Sequence, residues 1–146
     1  MNTIHVDIVS AEGDIFRGEA AMVFAPAQMG EVGIAPNHAP LLTGLKPGGV
    51  RVIPITEGGD KGEELFFYVS GGVLEIQPKK VTVLADTAMR AKDLDGAAAE
   101  EARARAEEML AERTSAVEVA TAQAELAAAA AQIHLLNKIK KAAGGK

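Results

Sequence analysis

Near residue 86 the hydrophobic period of this 146-residue chain changes from two to that of an α-helix. Before that point apolar and polar residues alternate in short runs. These are Ile4-His5-Val6-Asp7-Ile8, Val50-Arg51-Val52-Ile53-Pro54-Ile55, Leu65-Phe66-Phe67-Tyr68-Val69, Val73-Leu74-Glu75-Ile76-Gln77 and Val81-Thr82-Val83-Leu84. Alternation marks strands with one buried face, because successive side chains point to opposite sides. Turn signals separate the runs at Pro47-Gly48-Gly49, Gly58-Gly59-Asp60, Gly71-Gly72 and Pro78. Short strands at this spacing predict an antiparallel sandwich or barrel over residues 1–86.

Residues 87–146 read differently. Leu94, Ala98, Ala102, Ala106 and Met109 recur at helical spacing with Glu and Arg between them. This predicts a first helix over about 93–112, with Asp93 as its N-cap. Thr114-Ser115 interrupts the pattern, and Ser115 is placed to cap a second helix over about 116–140. On that helix Ala120, Ala124, Ala127, Ala131 and Leu135 form a narrow stripe, broadened by Leu126, Ile133 and Leu136. Two stripes of small residues let helices approach closely as an antiparallel hairpin. An alanine face buries little apolar area, so such a hairpin docks weakly. These residues fit a permanent hairpin and one that opens and repacks equally well.

Composition narrows the function. There are no cysteines, which removes disulfides, thiolate metal sites and cysteine nucleophiles. The net charge of −5 argues against a nucleic-acid partner. Residues 1–86 hold 11 acids and 6 bases, whereas 87–146 hold 9 of each. The acids end at Glu125, leaving Lys138, Lys140, Lys141 and Lys146 unopposed at the C-terminal end. These lysines either complement the helix dipole or meet an acidic partner surface. The N-terminus lacks the basic-then-apolar pattern of a signal peptide, and no apolar run is long enough to span a bilayer.

No catalytic constellation stands out. His5, His38 and His134 have no metal-ligand spacing, and no serine lies in a Gly-x-Ser-x-Gly elbow. Adjacent acids such as Glu63-Glu64 and Glu107-Glu108 do not face one another. His38 sits in the stiff loop Pro36-Asn37-His38-Ala39-Pro40, either as a contact point or bonded to its own backbone. A small enzyme built around His38 is the rival from another class. A general helical adaptor, whose sandwich only anchors it, is a third reading.

Two stretches identify a family. One is Gly30-Glu31-Val32-Gly33-Ile34-Ala35-Pro36-Asn37-His38-Ala39-Pro40-Leu41-Leu42-Thr43, continuing to Leu45-Lys46-Pro47-Gly48. The other is Val69-Ser70-Gly71-Gly72-Val73-Leu74-Glu75-Ile76-Gln77-Pro78, continuing through Val81-Thr82-Val83-Leu84-Ala85-Asp86-Thr87-Ala88. Together with Val9-Ser10-Ala11-Glu12-Gly13, Asp93-Leu94-Asp95 and Ala131-Gln132, they resemble the epsilon subunit of bacterial F-type ATP synthase along the whole chain.

The resemblance implies a ten-stranded β-sandwich over 1–86 and a regulatory two-helix hairpin over 87–146. It implies a non-catalytic rotor subunit of a proton-translocating, or sodium-translocating, ATP synthase, peripheral on the cytoplasmic face of the bacterial plasma membrane. The implied partners are the gamma subunit, the ring of c subunits, and the catalytic alpha and beta subunits, with no membrane span of its own. Met29, Gly30 and Glu31 match the loop facing the c ring. Ser10 and His38 match positions near gamma. Lys138, Lys140 and Lys141, with Arg113, match the basic surface that meets the catalytic head when the hairpin extends and inhibits ATP hydrolysis.

Some relatives bind ATP through Ile/Leu-Asp-x-x-Arg-Ala at the domain junction. Here Leu94-Asp95 is kept, but Ala98 replaces the arginine. Losing that guanidinium removes a bidentate phosphate partner. No cofactor is therefore expected, and ATP binding should be weak or absent, with Asp95 and Arg105 the residues that could retain a nucleotide contact. Ala35 and Asn37 also depart from the usual pattern, without disturbing the match.

Overall fold

The computed structural model describes residues 2–112 and 115–144, the side chains of 142–144 excepted. The chain divides into two compact units, Met1–Lys92 and Asp93–Lys146. The boundary falls after Lys92 rather than Asp86, because residues just past 86 still form a strand of the first unit.

That unit is built from β1 (Ile4–Ser10), β2 (Gly13–Ala27), β3 (Gly30–Ile34), β4 (Leu41–Leu45), β5 (Gly48–Pro54), β6 (Leu65–Val69), β7 (Gly72–Gln77), β8 (Lys80–Ala85) and β9 (Ala88–Arg90). Among the described residues there are nine strands where about ten were expected. They run in the order β1-β8-β7-β4-β2-β5-β6-β9, with β3 beside β2 and β1 paired again to β2. One pair, β1 with β8, is parallel, which corrects the purely antiparallel expectation.

Strand β2 joins the two layers of the sandwich. Its first half pairs with β1 as far as Ala20, and its second half pairs with β3 and β5. Register shifts at Ile8/Val9 and at Ala20/Met22 flank the crossing. Such irregularities bend a strand, which lets a single strand serve both layers.

The inward positions of each alternating run close the core. Ile4, Val6, Ile8, Val50, Val52, Phe67, Leu74, Ile76, Val81 and Val83 are all fully buried. Phe16 packs on Phe67 with ring centroids 5.4 Å apart. Burial of each such side chain contributes about 1.5–3 kcal/mol. Gly72 shows why the Gly71-Gly72 pair cannot vary. Its φ is +138°, and an added Cβ would collide with the Leu84 carbonyl. Gly48 and Gly49, read above as turn residues, instead pair with Val69 and Tyr68 inside β5. Gly48 lies against Pro26, which leaves no room for a side chain.

A polar clamp holds the outer face of β1, β2 and β8. The buried Asp7 carboxylate receives His5 Nε2 at 2.9 Å, Arg17 Nε at 3.1 Å and Lys80 Nζ at 3.2 Å. His5 Nδ1 lies 2.7 Å from Glu19, which also accepts a hydrogen bond from Thr3. Burial alone would raise the Asp7 carboxyl, but hydrogen bonds from Lys80 and His5 outweigh it and hold it below its ordinary value. Glu19 is lowered chiefly by the His5 hydrogen bond, then by that of Thr3.

The second unit is a helical hairpin of α1 (Gly96–Glu112) and α2 (Ala116–Gly144). Asp93 does not cap α1, because it ends the 3-10 turn Ala91–Asp93. Asp95 caps the helix instead, accepting Ala98 N–H at 3.1 Å through Oδ1. Ser115 caps α2 as expected, with Glu118 N–H 3.1 Å from its Oγ.

The seam uses different alanines from those foreseen. On α2, Ala122, Ala129, Ile133 and the expected Leu135 are buried, whereas Ala120, Ala124 and Ala127 are exposed. On α1, Ala99 and Ala106 are buried and Ala98 is exposed. A helix this rich in alanine offers little contrast between its faces. The larger Ile133 and Leu135 lie on the covered side, and only the packed hairpin shows it.

Candidate functional site

The first candidate site is the tip of the β2–β3 hairpin. Ala27 and Gly30 face each other across the two-residue connection Gln28-Met29. Gly30 has φ +131°, in the region that favours glycine. The hairpin base is pinned to β4: Gln28 donates its backbone N–H to Gly44 O at 3.1 Å and its Nε2 to Leu45 O at 3.3 Å. Lys46 N–H donates to Pro26 O at 2.9 Å from the other side. At the apex Met29 is 100% exposed. An unbranched apolar side chain fully in water on a fixed turn suits a binding surface better than a core. Glu31 stands beside it on β3 and is ion-paired with Arg51 of β5 at 3.3 Å. Arg51 was not singled out in the sequence. Its only trace there is a lone charge at an outward position of Val50-Arg51-Val52.

Ser10 and His38 are not brought together. Ser10 pairs with Ala85 at one end of β8. His38 follows Asn37, whose N–H donates to the Pro78 carbonyl just before the other end. The strand between spans about 17 Å at ~3.3 Å per residue. Ser10 is buried, and its Oγ accepts the Glu12 N–H within the β1–β2 turn. His38 Nδ1 donates to the Ala39 carbonyl at 2.6 Å, the local bonding that a stiff loop allows.

Between these two points the sheet carries an apolar strip that sequence reasoning missed. Val73 pairs with Leu84, and Val73 pairs on its other side with Gly44 of the strand that holds Leu42. Leu42, Val73 and Leu84 are 69%, 42% and 51% exposed. Each occupies an outward position of its strand. The only signal was an apolar residue where alternation calls for a polar one.

The hairpin carries the remaining candidates. Lys138, Lys140 and Lys141 are exposed on α2, and among the described residues none is ion-paired. Arg113 lies outside the described residues. Asp95 spends one carboxylate oxygen on capping α1. Arg105 lines a groove of about 470 Å³ with Ala98, Ala102, Glu125, Ala128 and Gln132. The carboxylate of Glu125 in that groove opposes a phosphate. Among the described residues no cluster of acids and histidines could hold a metal ion, and no helix is long and apolar enough to cross a membrane.

A sandwich with exposed apolar contacts, joined to a hairpin with a free basic end, defines a two-domain interaction subunit. Comparison with known proteins gives its family. Residues 3–91 match the family model of the ATP synthase delta/epsilon chain β-sandwich domain, and residues 92–137 match that of its long α-helix domain. The ATP synthase epsilon chain of Alkalilimnicola ehrlichii is 58% identical over 98% of this chain and 99% of its own length. That of Halorhodospira halophila is 58% identical over the same shares. A chain of the Euglena gracilis mitochondrial ATP synthase, from the OSCP/F1/c-ring structure, superposes with a TM-score of 0.73 at 21% identity. It covers 88% of this chain and 77% of that one, and supports the fold alone. The chain belongs to the epsilon-chain family of ATP synthase, and as such is a central-stalk subunit and not a catalytic one.

Proposed function

We propose that the sandwich anchors this subunit on the rotor of an ion-translocating F-type ATP synthase, while the hairpin regulates ATP hydrolysis. In this reading the Met29-Gly30-Glu31 tip meets the ring of c subunits. The strip of Leu42, Val73 and Leu84, bounded by the Ser10 turn and the His38 loop, lies on the gamma subunit. Lys138, Lys140 and Lys141 meet acidic residues of the alpha and beta subunits when the hairpin opens. The subunit sits peripherally at the cytoplasmic face of the bacterial plasma membrane, held there by its partners.

The observation that carries the regulatory part is the hairpin, whose buried residues are mostly alanine: Ala99, Ala106, Ala122 and Ala129, with Ile133 and Leu135 the two larger ones. A methyl group buries far less than a leucine or phenylalanine side chain, so parting the helices forfeits little. The test is ATP hydrolysis by latent, epsilon-depleted enzyme rebuilt with either the full chain or residues 1–92. Faster turnover with the truncated form is expected. Equal rates would remove the inhibitory role.

The isolated subunit is read as binding ATP weakly or not at all. Ala98 offers no cation, Asp95 is engaged as a cap, and Glu125 shares the groove with Arg105. Isothermal titration of the full chain with ATP checks this, and micromolar or tighter binding would overturn it.

A further inference from the structure

Arg51 is a tightly held cation on the outer face of the sandwich. On β5, Val50 and Val52 point inward and are fully buried, so Arg51 points outward. Pairing sets it between two aromatic residues, opposite Phe24 of β2 and opposite Phe66 of β6. Its guanidinium lies 4.2 Å above the centre of the Phe24 ring. Nη1 donates to Glu64 at 2.9 Å and Nη2 to Glu31 at 3.3 Å. The side chain is only 21% exposed. On the far side of Phe24, its paired residue on β3 is Gly33, where an added Cβ would press on Met22 Cε at 3.1 Å and touch the ring in ordinary contact.

Each of these contacts limits a different freedom. The ring fixes the plane of the guanidinium by stacking. The two carboxylates fix its rotation, because the planar fork offers donors in two set directions. Glu31 and Glu64 reach it from different connections, one beside the β2–β3 tip and one just before β6. A lone exposed ion pair would add little. Here the cation is already held by the ring and Glu64, so ordering Glu31 requires fixing only one more side chain.

The geometry points to Arg51 as the positioning residue of the hairpin tip. It draws the Glu31 carboxylate back along the sheet, so that Met29 leads the contact and Glu31 follows at a set angle. This rests on the reading that the tip meets the c ring. Lysine cannot replace Arg51, because a point charge on a flexible stem neither stacks nor bridges two carboxylates.

The test uses full-length variants added back to epsilon-depleted ATP synthase in membranes, read as recovery of ATP-driven ion pumping. E31Q and R51Q should each raise the half-saturating subunit concentration by roughly threefold to tenfold, as expected for losing one arm of a charge contact. The double variant should be no worse than either single one. R51K should behave like R51Q. Additive losses, rescue by R51K, or an R51Q that binds normally while E31Q does not, would overturn the positioning role alone. If E31Q and M29A both bind as the unaltered chain does, the ring-contact reading falls, and this proposal with it.

Discussion

The sandwich and the hairpin solve the same packing problem with different residues. In the sandwich, Phe67, Leu74, Ile76 and a set of valines meet across strands far apart in sequence, and no local segment can keep that core alone. In the hairpin, alanines dominate the seam, and each helix can persist without the other because alanine has the best helix propensity. The difference separates stability from attachment. One unit must stay closed to exist, whereas the other would keep its helices if they were parted.

The sharpest way to break this comparison is to hollow one core and crowd the other. Phe67→Ala should cost about 3–5 kcal/mol by removing a large buried ring. The loss is read in the near-ultraviolet signal of Tyr68, the single tyrosine, which is 1% exposed within the sandwich. Ala106→Leu should cost about 1–3 kcal/mol by overpacking the seam. It should leave the Tyr68 signal unchanged and, by favouring the parted helices that inhibit in the proposed reading, lower ATP hydrolysis in the assembled enzyme. A hairpin variant that unfolds the sandwich would contradict the division into two units.

Truncation sharpens the boundary between them. Residues 1–92 should fold, whereas a chain cut after Asp86 should be several kcal/mol less stable. It would lose the pairing of Phe67, Tyr68 and Val69 with Arg90, Met89 and Ala88. It would also lose the Arg90 hydrogen bond to Ile15 O at 3.1 Å and the burial of Ala88. Urea unfolding of the two fragments makes the comparison.

The charged clamp belongs to the sandwich alone. Asp7 and Glu19 titrate lower when folded, so they add stability above the ordinary carboxylate range and lose it as pH falls through their folded values. Sandwich stability should therefore decline below about pH 4, in the range where carboxylates protonate. Asp7→Asn should flatten that decline and cost roughly 1–3 kcal/mol at neutral pH. The smallest effect is expected at the start of α2. Ser115→Ala should cost about 1 kcal/mol, lost as helix signal with the sandwich unmoved. Lys138, Lys140 and Lys141 changed together to alanine should raise hydrolysis, and less so at high salt, where exposed charges are screened.

Five alternating runs marked strands β1, β5, β6, β7 and β8, and Ser115 marked the start of α2. The remaining strands left weaker traces. In β2 the stretch Ala20-Ala21-Met22-Val23-Phe24-Ala25 hides its alternation, because the outward positions of a strand passing between layers are also apolar. The three residues of β9 are too few to show any period. The tip at Met29, Gly30 and Glu31 was legible as a motif, but Arg51, 20 residues further on, joins Glu31 only through pairing along β2.

By itself, then, the sequence determined a β unit followed by a helical one, the family, and the absence of the guanidinium at Ala98. Periodicity and residue type are local properties, and a linear reading captures them. The tertiary structure alone decided that the first unit extends to Lys92, that Ala122 and Ala129 rather than Ala120 and Ala124 close the hairpin, and that Leu42, Val73 and Leu84 form one strip. Each depends on which strands or helix faces meet, and that is set by side-chain fit across long sequence separations.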